Sequence, residues 1–209
     1  MWKRNLLGQS LVVALVVLAT VKPALSTVIT YSFEGEVTAN IGSPFGLSPL
    51  TGDPTTGSFS FDTDTVGVPQ GVAMLYQQTI VGGLSIHVGG SLIEADSYSV
   101  TVVNGPNDVF AVAGEAGAFR IDGVDAPDLA GRILLFDSTA TAFSSDALPT
   151  SLALAAFDLA VGNLNDFATG ANNEIQFDVT ALTVPEPSTF TVLGMGLAGL
   201  LLCRRRIAA

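Results

Sequence analysis

Apolar and polar residues alternate with a period of two in five separate runs of the chain. Tyr31, Phe33 and Val37 stand against Ser32, Glu34, Glu36 and Thr38; Phe59 and Phe61 against Ser58 and Ser60; Leu84, Ile86 and Val88 against Ser85 and His87. The pattern recurs with Tyr98, Val100 and Val102 against Ser97, Ser99 and Thr101, and with Ile175, Phe177, Val179 and Ala181 against Glu174, Gln176, Asp178 and Thr180. Successive strand residues point to opposite faces, so each run predicts a half-buried antiparallel strand. Ile133 to Phe136 is apolar throughout and predicts a strand covered on both faces. Residues 27–183 hold 18 glycines and 7 prolines, scattered rather than clustered, which cuts the segment into short elements. Ser151 to Val161 suits either a strand or a short helix. Asn40 to Gly57, and Val103 to Asp108 with its Asn-Gly-Pro-Asn, are the expected exposed loops. No internal repeat is present. Many short strands with frequent turn signals predict an all-β fold, an antiparallel β-sandwich of two sheets for which a jelly roll is one topology.

The two ends follow a different logic. Lys3 and Arg4, the unbroken apolar run Leu11 to Ala19, and the small residues Ala24 and Ser26 follow the order of a secretory signal peptide over residues 1–26. Signal peptidase is then expected to cut between Ser26 and Thr27. Lys22 and Pro23 end the apolar stretch too early for a permanent anchor. At the far end, over residues 184–209, Val184-Pro185-Glu186-Pro187-Ser188 precedes the mostly apolar span Thr189 to Cys203 and then Arg204-Arg205-Arg206. Two prolines around one residue cannot continue a helix or a central strand, so they divide the tail from what folds upstream. As a helix the span would be about 22 Å long against about 30 Å of bilayer hydrocarbon, enough to cross only with local thinning or snorkelling arginines. Basic clusters at both extremes hold both ends in the cytoplasm as stop-transfer charge, so residues 27–183 face outward.

The ordered triplet of VPEPST, a Gly- and Leu-rich span and a terminal RRR closely resembles the PEP-CTERM protein-sorting domain. The resemblance covers Val184 to Ala209. It implies recognition by a membrane-embedded exosortase that cuts near Pro185-Glu186-Pro187, with Ser188 completing the motif. It further implies a single-pass inner-membrane precursor that moves to the cell surface or exopolysaccharide matrix of a Gram-negative bacterium. Gly194 to Gly199 also matches G-x-G-x-x-G literally. Only ten residues follow it and none is acidic, so the dinucleotide-binding turn has no room; small residues here suit close helix contact.

Charge narrows the partners. The chain carries 8 basic against 19 acidic residues, and residues 27–183 hold only Arg120 and Arg132 against 18 acids, a net of −16. No positive field exists for a phosphate backbone, so nucleic acid is excluded as a partner. One His and one Cys cannot build a His/Cys zinc site, and the exported segment has no cysteine, so it must be stabilised without disulfides. Asp62 and Asp64, and Asp122, Asp125 and Asp128, put carboxylates at loop spacing of the kind Ca²⁺ prefers, although neither matches an EF-hand. A solvated acidic turn is the plainer reading of both. His87 falls on the polar face of its strand and is expected to meet solvent. Neither G-x-S-x-G nor H-E-x-x-H occurs, so two common hydrolase signatures are missing; paired carboxylates for glycoside hydrolysis stay open among the 18 acids, and no catalytic residue and no cofactor are assigned. Phe45 and Tyr76, beside Gly/Pro-rich or polar neighbours, are the candidates for an exposed sugar-stacking platform. The expected function is that of a non-enzymatic surface or matrix protein associated with exopolysaccharide. The alternatives are a carbohydrate-binding module, with or without calcium, and a secreted glycan-active enzyme.

Overall fold

The computed structural model describes residues 28–168 and 173–184. They form eleven strands: β1 (Val28–Ile41), β2 (Pro54–Asp62), β3 (Val68–Gln70), β4 (Ala73–Val88), β5 (Ser91–Val103), β6 (Asp108–Gly114), β7 (Phe119–Ile121), β8 (Val124–Ala126), β9 (Leu129–Asp137), β10 (Leu159–Asp166) and β11 (Asn173–Thr183). Every pairing is antiparallel. Eight of the strands close on themselves in the order β1, β2, β4, β5, β6, β9, β10, β11 and back to β1. β3 adds to β4, and the β7–β8 hairpin adds to β5, outside this ring.

The fold is therefore a closed eight-stranded β-barrel with extra strands, and the expected sandwich is corrected. Closure depends on β4, whose C-terminal half pairs with β2 on one side (Thr56 opposite His87, Phe59 opposite Leu84) and with β5 on the other (Leu84 opposite Ala95, Val88 opposite Ser91). The register breaks between Thr79 and Leu84, and breaks in β1 at Glu34/Gly35 and Val37/Ala39, supply the curvature that a bulge gives a strand. At the β4–β5 turn, Gly89 and Gly90 take φ of 60° and 85°, the left-handed pair that a two-residue hairpin requires. Where the ring strands extend past their neighbours, β3 covers the start of β4 and the β7–β8 hairpin the start of β5, so the edges left are three-residue strands.

Inside, the barrel is filled. Tyr31 stacks on Phe59 and Phe61 at centroid distances of 5.4 and 5.9 Å, Phe110 leans on the same two rings at 5.7 Å, and Phe33 stacks on Phe177 at 6.0 Å. An eight-stranded barrel is just wide enough for side chains to fill, and here aromatic rings do so. Two rings lie over glycines directly across the ladder, Phe33 opposite Gly57 and Phe177 opposite Gly162. A Cβ on Gly57 would sit 2.5 Å from the Phe33 ring, and one on Gly162 would fall inside contact distance of Phe177. Only glycine lets these rings lie flat on the inner wall.

The alternating runs occupy the strands expected of them, with Tyr31, Phe33, Phe59, Phe61, Leu84, Ile86, Tyr98, Val100, Ile175 and Phe177 inside. Ile133 to Phe136 departs from expectation. Ile133 and Leu135 are buried, whereas Leu134 and Phe136 are half-exposed on the outer wall, because β9 has no second layer over it. Ser151 to Val161 resolves into a short 3₁₀ turn, Leu154–Ala156, followed by β10. The first expected loop is shorter than Asn40 to Gly57, since β1 runs to Ile41 and β2 begins at Pro54, where proline is tolerated as the first strand residue. The second, between Val103 and Asp108, is as expected.

Candidate functional site

Register fixes which features share an end of the barrel. Val28 lies opposite Asp62, and Ser32 opposite Thr183, so the chain joins and leaves the barrel at one pole. The same pole carries the β3–β4 hairpin, the β5–β6 turn and the long β9–β10 connection. The opposite pole carries the β1–β2 loop, the β4–β5 turn and the β7–β8 hairpin.

Two buried aspartates organise the tail-side pole. Asp108 and Asp137 are opposite one another at the ends of β6 and β9, and both turn inward. Asp137 accepts the Thr139 hydroxyl at 2.6 Å and the N–H groups of Thr139, Thr141 and Ala142 at 2.7–2.9 Å. The loop winds around this carboxylate tightly enough to put Ala140 at φ 55°, in the left-handed region. The Thr139 hydroxyl first, and then the N–H donors, hold the Asp137 carboxyl far below the usual carboxylate range. Asp108 accepts the Phe143 N–H at 2.8 Å, which folds the loop's apolar side chains over the open end of the barrel.

The expected site residues separate. Asp62 accepts the Asp64 N–H at 3.0 Å and ends β2 at the tail-side pole. Asp122 accepts the Leu92 N–H at 2.9 Å from a φ of 50° in the β7–β8 turn, at the other pole. Asp125 lies opposite Arg120 on the same hairpin, and Asp128 follows it before β9. The two acidic loops are thus not brought together, and no group of three or more His, Cys, Asp or Glu placed to hold a metal ion occurs among the described residues. Asp62 is bonded to a backbone N–H of its own turn, as in an Asx turn, and Asp122 ties its turn to the start of β5.

The expected aromatic platform is corrected. Tyr76 is only 6% exposed and donates its hydroxyl to the Asp146 carbonyl at 2.8 Å. Phe45, at φ 54° in the 3₁₀ turn Pro44–Gly46, packs against the core. Among the described residues the aromatic that does face solvent is Phe167, at 62%, which no sequence signal distinguished. His87 is exposed, as its strand phase requires. It borders an open depression of about 570 Å³ on the outer wall, with Ser32, Glu34, Thr56, Ser58 and Ser85 around it. The Ser58 and Ser85 hydroxyls are bonded to each other at 2.9 Å. A second outer depression, of about 200 Å³, lies beside a chain of planar groups in which Arg132 donates to Asn163 and Asn163 to Glu174. Both can offer hydrogen bonds to a polar molecule; neither encloses one. The other arginine of the described residues, Arg120, grips Asp96 through two bonds of 2.6 and 3.0 Å, which lowers the Asp96 carboxyl and raises the guanidinium.

The expected cleavage pair Ser26 and Thr27, the motif Pro185, Glu186, Pro187 and Ser188, and Arg204 to Arg206 lie outside the described residues. Among the described residues no helix is long and apolar enough to cross a membrane. What the structure does give is the point of departure: β11 is paired to its last residue, Thr183, and only Val184 stands between it and Pro185. No curated protein and no solved structure matches the chain. Residues 183–206 match the PEP-CTERM protein-sorting motif, which implies an exported protein processed by an exosortase and sent to the cell surface.

Proposed function

We propose that the barrel is a non-enzymatic surface or matrix protein, delivered into an exopolysaccharide-rich exterior and released from its tail by the exosortase. The observation that carries this reading is the junction at Thr183. β11 lies between β1 and β10 in the closed ring, so a cut within it would open the barrel. A cut near Pro185-Glu186-Pro187 leaves every paired residue in place and frees an intact domain. The filled interior and the open outer depressions support a structural role over an enzymatic one. The strong negative charge supports life in a hydrated matrix, since it keeps the domain soluble and away from polyanions.

Protease shaving of intact cells tests the reading. Peptides from the barrel are expected from cells with a working exosortase, ending short of the apolar span. Cells lacking it should hold the barrel in the membrane fraction with the span attached. A second reading, a glycan-binding module, draws support from the hydroxyl-lined depression beside His87. Its check is retention of the protein on the producing organism's own polysaccharide, lost with Ser58→Ala and Ser85→Ala together.

A further inference from the structure

The outer wall of the barrel is not uniform. Ala73, Val103, Val109, Phe136 and Leu159 stand opposite one another in turn across β4, β5, β6, β9 and β10, forming the outward row nearest the tail-side pole. One step further up the strands, Leu75, Thr101, Ala111, Leu134 and Val161 form the next. None of these residues belongs to the core or packs against it, and all are at least partly exposed. Across these five strands neither row holds a charge; carried on to β11 the second row ends at exposed Asp178, opposite Val161, and Arg132 comes in the third row. On the other flank the outward positions are polar, Thr183, Ser32, Ser58 and Ser85 in one row and Glu34, Thr56 and His87 in another. The loops of the tail-side pole add exposed valines, Val66 at 86% and Val72 at 75%.

We propose that this apolar flank and pole form a lipid-facing seat, resting on the outer leaflet while the tail holds the precursor. The inference rests on the proposed reading of the tail as a membrane-held segment. Chain length argues for the occupant: Val184 to Thr189 can reach at most about 17 Å, so an inserted span keeps this pole against the headgroups. Depth agrees with it. Outward residues two apart on a strand are about 7 Å apart, so two rows with the loop tips match the roughly 5–10 Å to which interfacial elements sink. Two acids at this level, Asp108 and Asp137, are turned into the barrel and bonded to the β9–β10 loop, and exposed Asp178 on β11 marks where the apolar flank ends. Asp62, Asp64, Asp146 and Asp158 remain in the polar loops of this pole, so the seat suits neutral headgroups over anionic ones.

The test uses the full-length chain in phosphatidylcholine vesicles containing brominated lipid, with a fluorophore on one cysteine at a time. Native Cys203 carries the first label. Val72→Cys, Val109→Cys and Val124→Cys, each in a Cys203→Ala background, carry the others; Val124 is 70% exposed at the far pole. The seat predicts quenching at positions 72 and 109 several-fold stronger than at 124, together with quenching at Cys203. Quenching at Cys203 with 72 and 109 no stronger than 124 overturns the seat and leaves the membrane-held tail standing. No quenching at Cys203 overturns the tail reading and the seat with it. An unquenched label at 109, with the unlabelled Val109→Cys, Cys203→Ala chain giving disulfide-linked dimers on mild oxidation, assigns the flank to a second copy and overturns the lipid proposal.

Discussion

Tyr98 buries its ring in the barrel and donates its hydroxyl to the Ser60 carbonyl at 2.6 Å. Burial pushes its phenol well above the usual value, and Tyr31 and Tyr76 are raised by the same cause. A group with a raised folded pKa stabilises fully below its unfolded value and progressively less as pH rises from there toward the folded value. Since the unfolded phenol titrates near about 10, the barrel should lose stability steeply above that pH. Tyr98→Phe is expected to cost about 1–2 kcal/mol at pH 7, because it leaves the Ser60 carbonyl without that donor, and to flatten the alkaline loss. Urea unfolding at pH 7 and above pH 10 reads both effects. Asp137 gives the opposite sign. Its folded carboxyl is depressed, so its contribution is present above the unfolded value near about 4 and is lost as pH falls through the folded one. Asp137→Asn should be less stable than the parent at pH 7 and should lose less on acidification; equal acid slopes in thermal melts would remove Asp137 from the account.

At the scale of elements, the β1–β2 and β10–β11 ladders each carry a ring laid over a glycine. Gly162→Ala forces Phe177 off the inner wall and is expected to destabilise by about 1–3 kcal/mol, in the range of overpacked cores. Adding Phe177→Leu should return part of that loss, and a double variant no better than the sum of the singles would show that the clash is not the cause. Strand phase was legible in the sequence wherever the outer face is polar, as on β1, β2 and the second half of β4. It was not legible where the outer face is apolar. Leu134 and Phe136 filled the polar positions of β9 and made a one-sided strand look two-sided. The first half of β4 failed for the complementary reason: inward Gln78, 2% exposed and accepting the Asp62 N–H at 3.0 Å, put an amide where alternation requires a hydrocarbon. With Gln77 and Gln78 beside it, Tyr76 was read as exposed although its phase is inward.

For the whole molecule, period-two alternation describes a sandwich and a barrel equally, since each has one inner face. Closure lies in β4 pairing with both β2 and β5, a long-range choice that no local pattern records. The tail was the reverse case. Its motif is short, contiguous and ordered, and the 183–206 match agrees with what its residues alone suggested. The acidic loops at opposite poles carry a further expectation: chelator should leave the melting curve of the barrel nearly unchanged, as should Asp62→Ala and Asp125→Ala. A calcium-dependent shift beyond the roughly 1.4 kcal/mol given by tenfold saturation, lost in either variant, would assign a real site there.

The central claim is that the tail is read rather than merely inserted, and one measurement addresses it most directly. Anchoring would draw on the apolar span and on Arg204 to Arg206, both unaffected by changes in the neck. Pro185→Ala, Glu186→Ala and Pro187→Ala made together therefore leave insertion intact and remove only the rigid segment and its carboxylate. The mass and location of the protein are then followed in cells with a working exosortase. The account predicts that the triple variant accumulates in the membrane with its tail attached, while the parent loses the tail and reaches the surface. Equal surface delivery of both, each still ending in Arg204-Arg205-Arg206, would contradict it.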